Sequence, residues 1–144
     1  MIKKNVRILD YKAVQPRSRT STRTTTIPHS PRRLRLAAIT LTVPRESNRR
    51  NTVELLATVG VKGVTNIAQL VFRVFRDGAE IFRTQQGVES AGSEQFYTIA
   101  FQAIDLNVRS GAHRYTLTVE NATANATAQV VGPVNFSGKV IERK

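Results

Sequence analysis

Nucleophilic, acid–base and metal chemistry each need reactive side chains at set spacings, and this chain supplies few. It has two histidines and no cysteine. The missing cysteine excludes disulfide staples, thiolate metal sites and a cysteine nucleophile together. His29 and His113 have no partner by spacing, and a lone strand histidine reads as a surface residue. The carboxylates Glu54, Asp77, Glu80, Glu89, Glu94, Asp105, Glu120 and Glu142 are scattered, with no Asp-x-Asp or Glu-x-x-His group to hold a metal or form an acid–base pair. A phosphate-cradling glycine loop needs a helix behind it, and no amphipathic helix is legible. Asn121-Ala-Thr, Asn125-Ala-Thr and Asn135-Phe-Ser match the N-glycosylation triplet. In a threonine-rich chain without a legible secretion signal they read as chance. These residues predict a protein that is not an enzyme and takes no cofactor or metal.

The elements that carry these residues differ sharply along the chain. The 144 residues suffice for one domain, and a 40% hydrophobic content rules out wholesale disorder. No run approaches the roughly 18 apolar residues of a membrane span. The formal charge is +12, and residues 1–50 hold 13 of the 22 Lys and Arg but two of the ten acids, a net +11. The remainder is near neutral. A basic arm, 1–33, is therefore expected ahead of a folded body, 34–144. In the arm, residues 3–9 alternate loosely enough for a short strand. Residues 16–31, with three prolines and many hydroxyls, have little to bury and should be extended or disordered alone. Fully stretched, 33 residues span on the order of 100 Å, against a radius of gyration of about 14 Å for the body. Such an arm reaches neighbouring copies.

The body reads as consecutive strands. Residues 34–43 alternate, with an irregularity at Ala37 and Ala38, and the polar run 45–51 ends them. Residues 52–61 put Val53, Leu55, Ala57, Val59 and Val61 on one face, before a turn at Gly63 and Asn66. Residues 67–76 carry Leu70, Phe72 and Val74 on one face and Val71 and Phe75 on the other, as in a central strand or a strand whose second face a partner covers. Asp77 and Gly78 between apolar runs make a two-residue hairpin turn, because glycine tolerates the positive φ it demands. Residues 80–84 return, and 86–94 form a loop. Residues 95–104 point Tyr97, Ile99 and Phe101 inward and Phe96 and Ile104 outward. Residues 112–120 alternate Tyr115, Leu117 and Val119, and 126–131 and 134–141 follow, separated by Gly132-Pro133. About eight strands without helix predict an all-β fold: a single antiparallel sandwich, jelly-roll-like, with an extended N-terminal arm. Phe72, Phe75, Phe82, Phe96 and Phe101 cannot all share one inner layer, which means either imperfect alternation around bulges or an outer face packed on another subunit.

Phe72-Arg-Val-Phe-Arg-Asp-Gly-Ala-Glu-Ile-Phe82, Glu94-Gln-Phe-Tyr and Gly111-Ala-His-Arg-Tyr-Thr-Leu-Thr-Val-Glu-Asn121 together resemble small β-sandwich proteins of the spore surface in Bacillus-type bacteria, those of the exosporium and of endospore appendages. The resemblance covers roughly residues 52–142. It implies an extracellular or cell- or spore-surface location and subunits stacked through N-terminal connectors into resistant fibres or layers; whether a stack ends in an anchor or tip protein is left open by the sequence. Some appendage subunits cross-link through cysteine. Here any fibre must be non-covalent, and the arginine-rich arm departs from that pattern.

Two readings of function remain. In the first, the chain is a homopolymer subunit whose arm docks on neighbours by β-augmentation through Val6, Ile8, Leu9, Tyr11, Arg17, Arg19, Arg23 and Ile27. In the second, a capsid-like jelly roll uses its basic arm to bind nucleic acid. Against the second, the arm's arginines are interleaved with threonine and proline, and no basic face with stacking aromatics is evident. A sugar- or receptor-binding sandwich is a third option for which no site residue can be named.

Overall fold

Alternation of this kind leaves each strand with one apolar face, and two sheets bury those faces against each other. The computed structural model describes residues 6–45, 50–92 and 95–143. Its strands are β1 (Arg7–Arg17), β2 (Thr25–Thr26), β3 (Leu34–Val43), β4 (Asn51–Thr65), β5 (Ala68–Arg76), β6 (Ala79–Val88), β7 (Phe96–Leu106), β8 (Gly111–Asn121) and β9 (Thr127–Glu142). One sheet has the order β1-β9-β4-β7, with β2 also paired to β9, and the other β3-β8-β5-β6. From β3 onward each connection changes sheet except the β5–β6 hairpin. This eight-strand weave, with β2 as an addition, is an antiparallel sandwich of jelly-roll form.

The inward residues are those the alternation selects. Val53, Leu55, Ala57, Val59 and Val61 face Leu70, Phe72, Val74, Tyr115, Leu117 and Val119, all buried. β5 lies between β8 and β6, the central position its two apolar faces predict. Phe72 and Phe82 both pack on Phe101, at centroid distances of 5.6 and 5.4 Å. Phe75 and Phe96 point outward instead, beneath the Arg33 guanidinium at 4.9 Å and the Lys62 ammonium at 5.3 Å. The irregularity expected at the two alanines is a register shift one position earlier, between Arg35 and Ala37.

Several boundaries differ from the sequence reading. β4 continues through Gly63 to Thr65 and begins at Asn51, which is buried, donates to the Val108 carbonyl and accepts from the Val108 amide. β6 extends to Val88, into the expected loop. Gly132-Pro133 does not end a strand, because β9 absorbs it as a bulge opposite Gly60. A Cβ at Gly60 would lie 1.8 Å from the Gly132 carbonyl oxygen, so only glycine permits that approach.

The main correction concerns the arm. Within the described residues it does not leave the body: β1 pairs with β9 of its own chain from Arg7↔Glu142 to Arg17↔Val134, and Ile27 is 1% exposed in the core. The expected division at 33/34 therefore coincides with no break in the sheet. The arm supplies the eighth strand, since 126–131 and 134–141 form one strand rather than two. The physical reason is that a 16-residue β9 leaves a full row of backbone groups open unless something covers it, and β1 followed by β2 does so. Residues 1–5, Glu46 and Glu94 lie outside the described residues.

Candidate assembly interface

β1 is the edge strand of its sheet, and its alternation decides which side chains face out. A register shift between Ile8 and Asp10 lets Ile8 and Tyr11, three apart, share the outer face. Their exposures are 57% and 58%. Leu9 and Val14 turn inward and pack against the core from the rim. Asp10 is the inward hinge of the edge: its Oδ1 accepts from the Tyr11 amide and its Oδ2 from the Thr42 amide of β3, each at 2.8 Å. One carboxylate thus ties together the edges of both sheets. Arg7 reaches Glu142 at 3.1 Å and Lys12 reaches Asp10 at 3.6 Å.

Beyond β1 the chain crosses the β9 bulge. Arg17 donates to the Val130 carbonyl and to Ser21 Oγ, both at 3.1 Å, and to the Arg23 carbonyl. Thr20 Oγ1 donates to the Gly132 carbonyl and the Ser21 amide to the Val131 carbonyl, each at 3.0 Å. Residues 22–24 are exposed, and then β2 and Ile27 are seated again. Of the expected arm residues, Val6, Ile8, Tyr11, Arg19 and Arg23 are exposed, Leu9 and Arg17 are half-buried, and Ile27 is core.

A second clasp follows. The Asn121 amide donates to the Pro28 carbonyl and the Ser30 amide to the Asn121 carbonyl, at 2.8 and 2.9 Å. Ser30 Oγ donates to Glu120 at 2.5 Å, Arg73 Nε to the same carboxylate at 2.7 Å, and Arg33 lies 3.8 Å away. Burial pushes the Glu120 carboxyl up, but the hydrogen bonds from Ser30 and Arg73, with the charges of Arg73 and Arg33, outweigh it and hold the pKa below its ordinary value. Asn121 is 1% exposed with its amide nitrogen donating to the Ala126 carbonyl, which removes it as a glycosylation acceptor.

The Asp77-Gly78 turn forms as expected, with φ of 50° and 87°. His113 does have a partner, contrary to the sequence reading: Asp77 Oδ2 lies 2.6 Å from Nδ1, and the Arg109 carbonyl 2.7 Å from Nε2. The turn and the start of β8 are far apart in sequence and meet only because β5 pairs with β8. The hydrogen bonds from His113 and the Arg114 amide hold the Asp77 carboxyl below its ordinary range. Nearby, Arg76 and the Tyr115 hydroxyl both donate to Asp105. Burial, then the bond to Asp105, pushes the Tyr115 phenol well up. Arg76, Asp77 and His113 line a cleft of about 370 Å³ with Asn107, Val108 and Arg109. Both His113 nitrogens are engaged, so the pair braces a turn and leaves no free base. Among the described residues, no group of three His, Cys, Asp or Glu converges to hold a metal, and no helix is long and apolar enough to cross a membrane.

Sequence reasoning missed Asp10, Glu120 and Asn121 as clasp residues. It also missed Leu56 and Leu106, which the period-2 pattern places on the outer face at 51% and 57% exposure.

The fold and the edge geometry together define a jelly-roll sandwich closed by its own N-terminal strand. No family model matches the chain, and no curated protein matches it. Among solved structures it is similar to dimeric latent PorU from Porphyromonas gingivalis, with a TM-score of 0.59 and 6% identity over 99% of this chain and 13% of that one. It is also similar to the T=1 particle protein derived from infectious bursal virus, with a TM-score of 0.50, 7% identity, and coverage of 93% of this chain and 36% of that one. The Gx strain of infectious bursal disease virus matches at a TM-score of 0.50 and 6% identity, over 96% and 38%. The chain spans well under half of each. At such identities the likeness is one of fold.

Proposed function

We propose that the chain is a structural subunit that assembles with copies of itself by lending β1 to a neighbour, forming a non-covalent helical fibre or surface layer. The observation that carries this reading is the attachment of β1. It is an edge strand paired to β9 through its backbone ladder, and the same ladder forms when β9 belongs to another copy. Residues 22–24 provide a short exposed pivot, and Ile27 stays seated in its own core as the anchor. From the pivot, residues 7–24 reach about 60 Å when extended. The function is architectural rather than enzymatic, and its site is the cell or spore surface, as in the spore-surface proteins the chain resembles. An anchor or tip protein would end the stack.

The nucleic-acid reading has less support. Arg7, Arg17 and Arg33 of the basic segment are engaged with Glu142, main-chain carbonyls and Glu120, so they are not held out on a free tail.

Because the chain has no cysteine, a registered pair reports the exchange directly. Ala13 and Ser137 are opposite one another across β1 and β9. The double variant Ala13→Cys/Ser137→Cys, oxidised and run on a denaturing non-reducing gel, should give a ladder of covalent multimers. A single monomer band with both thiols consumed would refute exchange.

A further inference from the structure

We infer that the outer face of the β1-β9-β4-β7 sheet is a second self-association surface, occupied by the same face of another copy of this chain. The inference is independent of strand exchange, because it requires β1 only to be in place, from whichever copy.

The two outer faces of the sandwich differ. An antiparallel sheet with one wet face normally alternates apolar-in, polar-out. The β3-β8-β5-β6 sheet aligns Arg35, Thr118, Arg73 and Arg83 across its strands, and of the outward apolar residues of β5, Val71 is buried and Phe75 lies under the Arg33 guanidinium. The other sheet departs from that alternation. Across β1, β9, β4 and β7 one row reads Ile8, Ile141, Thr52, Leu106, and the next Tyr11, Lys139, Glu54, Ile104. A third reads Ala13, Ser137, Leu56, Gln102. Six apolar side chains (Ile8, Tyr11, Leu56, Ile104, Leu106 and Ile141) thus ring one central ion pair, Lys139–Glu54 at 3.4 Å. Five of them are 46–58% exposed, more clustered apolar surface than a solvated face carries without use.

Charge and size both select a second copy. In a two-fold pairing, residue i meets j while j meets i. An axis lying between the two sheets and bisecting the Glu54–Lys139 pair sets each glutamate over the other copy's lysine, so the buried charges are paired twice. An apolar partner or a lipid surface would leave that pair in low dielectric with no second complement. Four strands at about 4.8 Å spacing and about eleven residues at 3.3 Å give a face of about 700 Å² in projection. That is close to the roughly 800 Å² each partner gives to a standard interface. The small residues Ala13, Ser137, Thr58 and Ala100 leave room for sheets to approach to about 10 Å.

The test is sedimentation equilibrium of the full chain, with Leu56→Asp and Ile104→Lys as opposite-charge disruptions and Thr40→Asp, exposed on the other sheet, as control. The expected result is concentration-dependent association whose dissociation constant rises about 100-fold in each face variant and stays unchanged in the control, with circular dichroism confirming the fold of all three. A full chain that stays monomeric at millimolar concentration overturns the inference, as does association equally sensitive to Thr40→Asp or insensitive to Leu56→Asp. A monomer that instead co-floats with phosphatidylglycerol vesicles overturns it in favour of lipid. The cysteine ladder separates the two interfaces: Ala13 and Ser137 lie on this face, so face-to-face pairing without exchange gives covalent species no larger than a dimer, and exchange without face pairing gives a ladder beyond dimer with no response to Leu56→Asp.

Discussion

Replacing Ile27 with alanine separates an integral N-terminal segment from a dangling one. Ile27 is 1% exposed and belongs to the core cluster, and its amide donates to the Ala128 carbonyl at 2.9 Å. Ile27→Ala removes three carbons, worth about 2.4 kcal/mol at roughly 0.8 kcal/mol per buried methylene. A cavity contribution brings the expected loss to about 3 kcal/mol, within the range of about 2–5 for such truncations. In a domain of this size, that lowers the melting temperature by on the order of 10 °C. The assay is urea unfolding followed by intrinsic tyrosine fluorescence or circular dichroism, with the midpoint shifted at constant slope. Hydrogen exchange should then show faster opening of β1 and β2 relative to β5 and β8, because the anchor that returns the segment to its sheet is weakened. If the segment were a solvated tail, the substitution would fall within about 0.5 kcal/mol of neutral. A measured loss under 1 kcal/mol would refute the reasoning.

Gly60→Ala should be among the most disruptive single changes, costing at least about 3 kcal/mol, because the new Cβ would lie 1.8 Å from the backbone oxygen of Gly132 and β9 must move; unfolding midpoints measure it, and a near-neutral result would show that the bulge yields. The Glu120 clasp predicts acid sensitivity. Its folded pKa is below the ordinary 4.5, so its contribution is full above that pH and is lost as pH falls through the lower folded value. Exchange rates of the amides near Ser30 should rise in that acid window, and Glu120→Gln, at a loss of about 1–3 kcal/mol, should abolish the rise. An unchanged acid profile in the variant would remove Glu120 as its cause.

Alternation in residues 34–43, 52–61, 67–76 and 112–120 determined by itself that the chain is an all-β sandwich, because a period of two leaves only paired sheets able to bury each strand's apolar face. Asp77-Gly78 likewise specified its hairpin, since the turn's φ values are a local requirement met by local residue types. Outward Phe96 and Ile104 were legible from the same period. The tertiary structure decided where the N-terminal segment goes. Nothing within residues 6–33 buries enough surface to specify a place; the open edge of β9 and the Ala128 carbonyl that takes the Ile27 amide do so, and both lie over a hundred positions away. The pairings of Asp10 with Thr42, Glu120 with Ser30 and Asp77 with His113 are also products of the fold, being contacts between segments that sequence spacing cannot bring together. The ring of apolar residues about Glu54 and Lys139 has the same origin. Each strand contributes one or two of its members, and only the register of four strands makes them one surface.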